Sequence, residues 1–163
     1  MKSARVLFSA AAFAASTFVA QAAGLDVGIV LPTKDEPRWL QDQARFEQVL
    51  KTAGFSAEIL FSQGDSAKER ANVEALLTKG AKVIIICPQD SAAAAAAANE
   101  ARKSKAKVIS YDRLITNTDA VDYYVTFDSV QVGEAWGKFL AGKAAGKGNN
   151  LYLYAGAASD NNA

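Results

Sequence analysis

Short apolar runs recur along the chain at Val27–Leu31, Ile59–Phe61, Val83–Cys87, Val108–Tyr111, Tyr123–Phe127 and Leu151–Tyr154, each of strand length, and they read as buried strands. Between most of them the apolar positions take helical spacing. Phe46, Val49, Leu50 and Ala53 share one face and stop at Gly54, and Val73, Leu76 and Leu77 stop before Gly80. Ser66-Ala67-Lys68-Glu69 has the S-x-x-E form of a capping box, so Asp65-Ser66 marks a helix start. The alanine-rich run Ala92–Ala98 is expected to be helical by propensity, with Asp90 or Ser91 as its cap, and its small side chains suit close packing on a sheet.

Strands alternating with helices predict the α/β class, a doubly wound parallel sheet with right-handed crossovers. A weak internal echo supports the alternation. Lys79-Gly80-Ala81-Lys82-Val83-Ile84 resembles Ser104-Lys105-Ala106-Lys107-Val108-Ile109, each joining a helix end to a strand. The exception lies between Leu114 and Tyr124, where the turn-like Thr116-Asn117-Thr118-Asp119 leads to a strand without a helix.

The first 22 residues follow a different pattern. Lys2 and Arg5 precede an uncharged stretch from Val6 to Ala20, and Ala20-Gln21-Ala22 supplies an A-x-A cleavage site, so residues 1–22 are expected to be a secretory signal peptide. The apolar stretch is shorter than the ~20 residues of a membrane-spanning helix. No cysteine stands at the expected cleavage point to carry a lipid. The mature chain is therefore expected in the periplasm. At the other end, Leu151–Tyr154 runs into a loop ending Asn161-Asn162-Ala163 where a further helix would be due, which suggests a piece of a longer chain.

Composition narrows the chemistry. The net charge is +1 with both signs scattered, so no basic stripe offers itself to nucleic acid. The 163 residues contain no histidine, which removes His-based triads and HExxH zinc sites. No G-x-G-x-x-G follows a strand and no P-loop occurs, so neither a nucleotide nor any other cofactor or metal is expected. Cys87 ends a continuous apolar run and reads as a core residue. Asp35 and Glu36 precede Pro37 at a helix start, where acids suit the helix dipole better than they suit glycoside hydrolysis.

Three polar clusters follow expected strands: Arg38-Trp39 after the first, Asp112-Arg113 after Val108–Tyr111, and Ser159-Asp160-Asn161-Asn162 after the last. Ligands of open parallel sheets bind beyond the carboxyl ends of the strands, so the clusters are expected to share one cleft. Carboxylate, guanidinium, carboxamide and indole together suit a neutral polyhydroxy ligand, whose hydroxyls donate and accept and whose C–H face lies on an aromatic ring. Each cluster also has a plainer role: a first-turn helix pair, a local Asp112–Arg113 salt bridge, or a helix N-cap.

The order of Arg38-Trp39, Ser62-Gln63-Gly64-Asp65, Cys87-Pro88-Gln89-Asp90, Ile109-Ser110-Tyr111-Asp112-Arg113, Asp122–Asp128 and Asp160-Asn161-Asn162-Ala163 resembles periplasmic sugar-binding proteins of ABC transporters, the D-xylose-binding and multiple-sugar-binding group above all. The resemblance implies two α/β lobes that close on one monosaccharide and dock on a membrane permease, without catalysis. It implies sugar contacts from Arg38, Trp39, Asp112 and Arg113 in a first lobe (23–127), and from Asp160 and Asn162 in the start of a second (128–163). A crossing near Phe127-Asp128-Ser129 and a second-lobe helix from about Gln131 to Lys143 follow from the same pattern. The expected partners are a xylose-like sugar, the permease and a chemoreceptor, with a monomer when full length. With most of the second lobe missing, the chain alone is expected to bind sugar at millimolar affinity or weaker, about −4 kcal/mol at most. Two rivals remain: a secreted α/β carbohydrate-active enzyme using Asp112 and Asp160 as its acids, and the sensing domain of a sugar-responsive repressor. The leader and the missing N-terminal helix-turn-helix count against the repressor.

Overall fold

The computed structural model describes residues 24–144, 150, 152, 154, 156–160 and 162. The elements run β1 (Val27–Leu31), α1 (Pro37–Thr52), β2 (Ala57–Phe61), α2 (Ser66–Thr78), β3 (Val83–Ile86), α3 (Ala95–Lys103), β4 (Lys107–Tyr111), β5 (Tyr123–Val125) and α4 (Ser129–Ala144). The strands form one sheet in the order β2-β1-β3-β4-β5, and every pairing is parallel. The expected α/β sheet is present. The expected leader, residues 1–22, lies outside the described residues. So do Leu151 and Leu153 of the expected sixth strand, while Tyr152 and Tyr154 of that stretch are exposed.

Helix ends explain why the sequence repeats itself. At the end of α2, Gly80 N–H donates to Leu77 C=O and Ala81 N–H to Leu76 C=O. At the end of α3, Lys105 N–H donates to Arg102 C=O and Ala106 N–H to Ala101 C=O. Both are Schellman closures, in which the chain must pass through a left-handed residue: Gly80 at φ 86° and Lys105 at φ 62°. The following alanine is buried in each case and the following lysine pairs with an acid, Lys82 with Asp26 at 2.8 Å and Lys107 with Asp122 at 2.6 Å. The echo is one closing device used twice.

Alternation along β1 divides the core. Val27, Ile29 and Leu31 point to the α1 side, with Trp39, Phe61, Ile85 and Cys87. Val30 points to the other side, with Val73 and Leu76 of α2, Ala97, Ala98 and Ala101 of α3, and Ile84, Ile86 and Val108. The alanine-rich helix packs flat, as its composition implies. Gly28 serves the same closeness: a Cβ there would stand 2.9 Å from both the Leu76 Cβ and the Ile84 Cδ1. Cys87 is fully buried, and burial pushes its thiol far above the usual range, in keeping with a core role.

Several local expectations are corrected. Asp65, not Ser66, caps α2, its Oδ1 accepting from Ala67 N–H at 2.7 Å and Lys68 N–H at 3.0 Å. Glu69 is only 1% exposed and its Oε2 accepts from Gln89 N–H at 2.7 Å, so it serves the loop after β3 where the capping box would turn it back to the helix start. Asp90 caps the alanine run, accepting from Ala92 and Ala93, but regular helix begins only at Ala95. Glu36 is the N-cap residue of α1 yet makes no side-chain cap bond. β5 ends at Val125, two residues short of the expected Phe127.

Candidate functional site

The chain turns at the carboxyl end of β4. Asp112 adopts φ 64°, a left-handed conformation that Asp tolerates better than most residues. Its N–H donates to Val125 C=O at 2.8 Å, and the Arg113 N–H donates back to Tyr111 C=O at 2.7 Å. This turn lifts Asp112 and Arg113 away from the strand in different directions. The Asp112 carbonyl collects donors from Tyr124 Oη at 3.2 Å, Thr126 Oγ1 at 2.9 Å and Asn162 Nδ2 at 2.9 Å. One strained residue thus ties β4, the exit of β5 and the 156–162 loop together.

The two charges of the Asp112-Arg113 pair look outward rather than at each other. Asp112, only 5% exposed, accepts from Arg38 Nη2 at 2.6 Å, while Arg113 Nε meets Asp160 Oδ2 at 2.7 Å. Arg113 also donates from Nη1 to Pro88 C=O at 3.2 Å. The local salt bridge considered from sequence is therefore replaced by two longer-range pairs linking three chain segments. Such charge-assisted pairs fix orientation as well as charge. Asp160 does double duty, its Oδ1 accepting from Asn162 N–H at 2.9 Å in a cap-like turn. Asn161 lies outside the described residues.

Trp39 departs from expectation. It is 1% exposed in the core beneath α1, with the Arg38 guanidinium 4.4 Å and the Arg113 guanidinium 5.8 Å from its ring. The indole offers no open face for a sugar to stack on. It is a floor that holds two guanidiniums by cation–π contact. The rotation of α1 on the sheet explains the difference: successive side chains of a helix point about 100° apart, so Arg38 reaches the rim while Trp39 enters the core.

Sequence reasoning passed over three supporting groups. Tyr111 donates to Asp42 Oδ2 at 3.1 Å, and burial followed by the Asp42 carboxylate raises the phenol's pKa. Arg38 Nε lies 3.7 Å from the same buried Asp42. Glu69 accepts from Gln89 N–H at 2.7 Å, which anchors the loop whose Pro88 carbonyl receives Arg113. Burial pushes the Glu69 carboxyl up to about 7, against the pull of the Gln89 N–H and the Arg113 charge and with some help from Asp90. The signal was legible: Glu69, Val73 and Leu76 fall on one helical face, with an acid on an otherwise apolar stripe. Among the described residues no cluster of His, Cys, Asp and Glu could hold a metal.

The strand ends of this parallel α/β sheet gather paired guanidiniums, carboxylates and a carboxamide at the edge where ligands of such sheets lie. The model of the periplasmic binding protein domain matches residues 27–163, and the chain belongs to that family. It is 38% identical to the multiple sugar-binding periplasmic receptor ChvE of Rhizobium radiobacter, over all of this chain and 48% of the relative. It is 31% identical to the D-xylose-binding periplasmic protein of Haemophilus influenzae, over 85% of this chain and 41% of the relative. Its structure superposes with a TM-score of 0.80 on a carbohydrate transporter solute-binding protein of Chloroflexus aurantiacus in complex with D-glucose, at 68% identity over 85% of this chain and 41% of that one. A solute-binding protein of Clostridium phytofermentans with bound β-D-glucose gives a TM-score of 0.79 at 34% identity, over 83% of this chain and 43% of that one. The chain thus spans less than half the length of these relatives, which are named for sugar binding and transport rather than for catalysis.

Proposed function

We propose that this chain forms one wall of a periplasmic receptor for a neutral pyranose, glucose or xylose, delivered to the permease of an ABC importer. The observation that carries the proposal is the convergence of Arg38, Asp112, Arg113, Asp160 and Asn162, from three chain segments, into one hydrogen-bonded array over Trp39. Each guanidinium keeps N–H groups beyond its ion pair, and each carboxylate keeps lone pairs, so sugar hydroxyls find both donors and acceptors. The names of the relatives support the sugar class. Trp39 enters as the residue that positions Arg38 and Arg113.

The remaining parts of the proposal follow the family. Residues 1–22 act as the export leader, 23–127 form the first lobe, and 128–163 begin the second. In support of that boundary, α4 buries none of its residues against the sheet and leaves Val130, Trp136 and Phe139 in solvent. A chemoreceptor is a second outlet for the loaded receptor, which acts as a monomer when full length. An enzyme is disfavoured because Asp112 and Asp160, its candidate acids, are each held in an ion pair below 3 Å.

Saturation-transfer NMR tests the proposal. D-glucose and D-xylose at tens of millimolar receive magnetisation from the protein, Arg113→Ala with Asp160→Ala abolishes the transfer, and the sugars are recovered unchanged. Absence of transfer to any neutral monosaccharide overturns it, and sugar turnover would establish the enzyme instead.

A further inference from the structure

Arg113 also borders a separate polar cavity of about 270 Å³, whose other polar lining residues are Thr33, Asp35, Glu36, Gln63 and Gln89. It shares Arg113 with the primary array but none of Arg38, Asp112, Asp160 or Asn162. Its walls are held in place. Gln63 Oε1 accepts from Lys34 N–H at 3.1 Å, joining the loop after β1 to the loop after β2, and Glu69 fixes the Gln89 backbone at 2.7 Å. Gln63, Gln89, Asp35, Glu36 and Arg113 all line the space, which brings residues of mixed donor and acceptor chemistry to it, as at the primary site. The volume lies just under the ~300 Å³ of ordinary ligand pockets, which suits one additional ring rather than a larger molecule.

We propose that this cavity is a second subsite, continuous with the first through Arg113, that takes a neutral hydroxylated ring joined to the primary sugar. The inference rests on the sugar-binding proposal and extends it from monosaccharides to disaccharides and glycosides. Charge selects the class. Asp35 and Glu36 oppose a single guanidinium that is already paired with Asp160 at 2.7 Å, so a phosphorylated or uronic second unit is repelled. The loops after β1, β2 and β3 all contribute, which places the subsite along the carboxyl ends of the strands, where ligands of such sheets lie.

Affinities for D-glucose, maltose and cellobiose in the wild type and in the double variant Gln63→Gly, Gln89→Ala decide it. Glycine is chosen at 63 because that residue sits at φ 54°, where alanine would strain the turn. At least one disaccharide binds the wild type about tenfold tighter than glucose, the factor that one to two net hydrogen bonds supply. The variant loses that advantage and keeps its glucose affinity. Equal affinity for glucose and both disaccharides in the wild type, or an advantage that survives in the variant, overturns the subsite and leaves the primary sugar site standing. Failure of all three sugars to bind overturns both.

Discussion

Glu69 is a buried acid that accepts from the Gln89 N–H, and its cost is large enough to measure. Its carboxyl stands near 7 in the folded chain against 4.5 when solvated, a rise of about 2.5 pH units caused first by burial. At 1.36 kcal/mol per unit this is about 3 kcal/mol of differential stability. Below pH 4.5 the acid is protonated in both states and exacts no penalty. Between 4.5 and 7 the folded chain holds the proton more often than the unfolded chain, so stability falls as pH rises. Above 7 the whole penalty persists. Glu69→Gln copies the protonated acid and keeps an oxygen for the Gln89 N–H. Urea unfolding of both proteins at pH 4, 6 and 8, followed by circular dichroism, isolates the effect because other titrations cancel in the difference. The variant gains about 3 kcal/mol relative to wild type between pH 4 and pH 8, most of it before pH 7. A difference constant within about 0.5 kcal/mol across that range refutes the reasoning.

Other expectations test the packing and the site separately. Gly28→Ala drives a methyl group into Leu76 and Ile84 and lowers stability by about 1–3 kcal/mol in the same urea assay. Lys105→Gly relieves a left-handed residue at the end of α3 and raises the unfolding free energy by about 1 kcal/mol. Asp112→Asn keeps a residue that tolerates φ 64° but removes the Arg38 ion pair, so sugar affinity drops about tenfold or more while stability changes by less than about 1 kcal/mol.

Much of this architecture could be read from the chain because local and global signals agree. The runs at Val27, Val83 and Val108 are too apolar to lie anywhere but inside a sheet, and Gly54 and Gly80 end helices by the backbone conformation that glycine permits. Placing Arg38, Asp112, Arg113 and Asp160 beyond the carboxyl ends of strands was enough to bring them into one array. Their pairing was not legible. Adjacent Asp112 and Arg113 look like a salt bridge until the left-handed turn at Asp112 sends them apart, and no sequence pattern announces that turn in a non-glycine residue. Trp39 misled for a related reason: an indole beside an arginine at a cleft rim has the composition of a sugar platform, but whether it faces the cleft or the core depends on how α1 is rotated on the sheet. Glu69 was misread as a cap because S-x-x-E is a local pattern, whereas its burial follows from the face it shares with Val73 and Leu76.

The most direct test of the central claim is a two-dimensional ¹H–¹⁵N NMR titration of the protein with D-glucose to 50 mM, following the Arg38 and Arg113 side-chain Nε–H signals and the backbone amides of Asp112 and Asn162. The account predicts saturable shifts confined to this array, with a dissociation constant between about 1 and 10 mM, in keeping with one wall of a two-walled site. Shifts that fail to saturate, or that map to residues away from Arg38, Asp112, Arg113, Asp160 and Asn162, would contradict it.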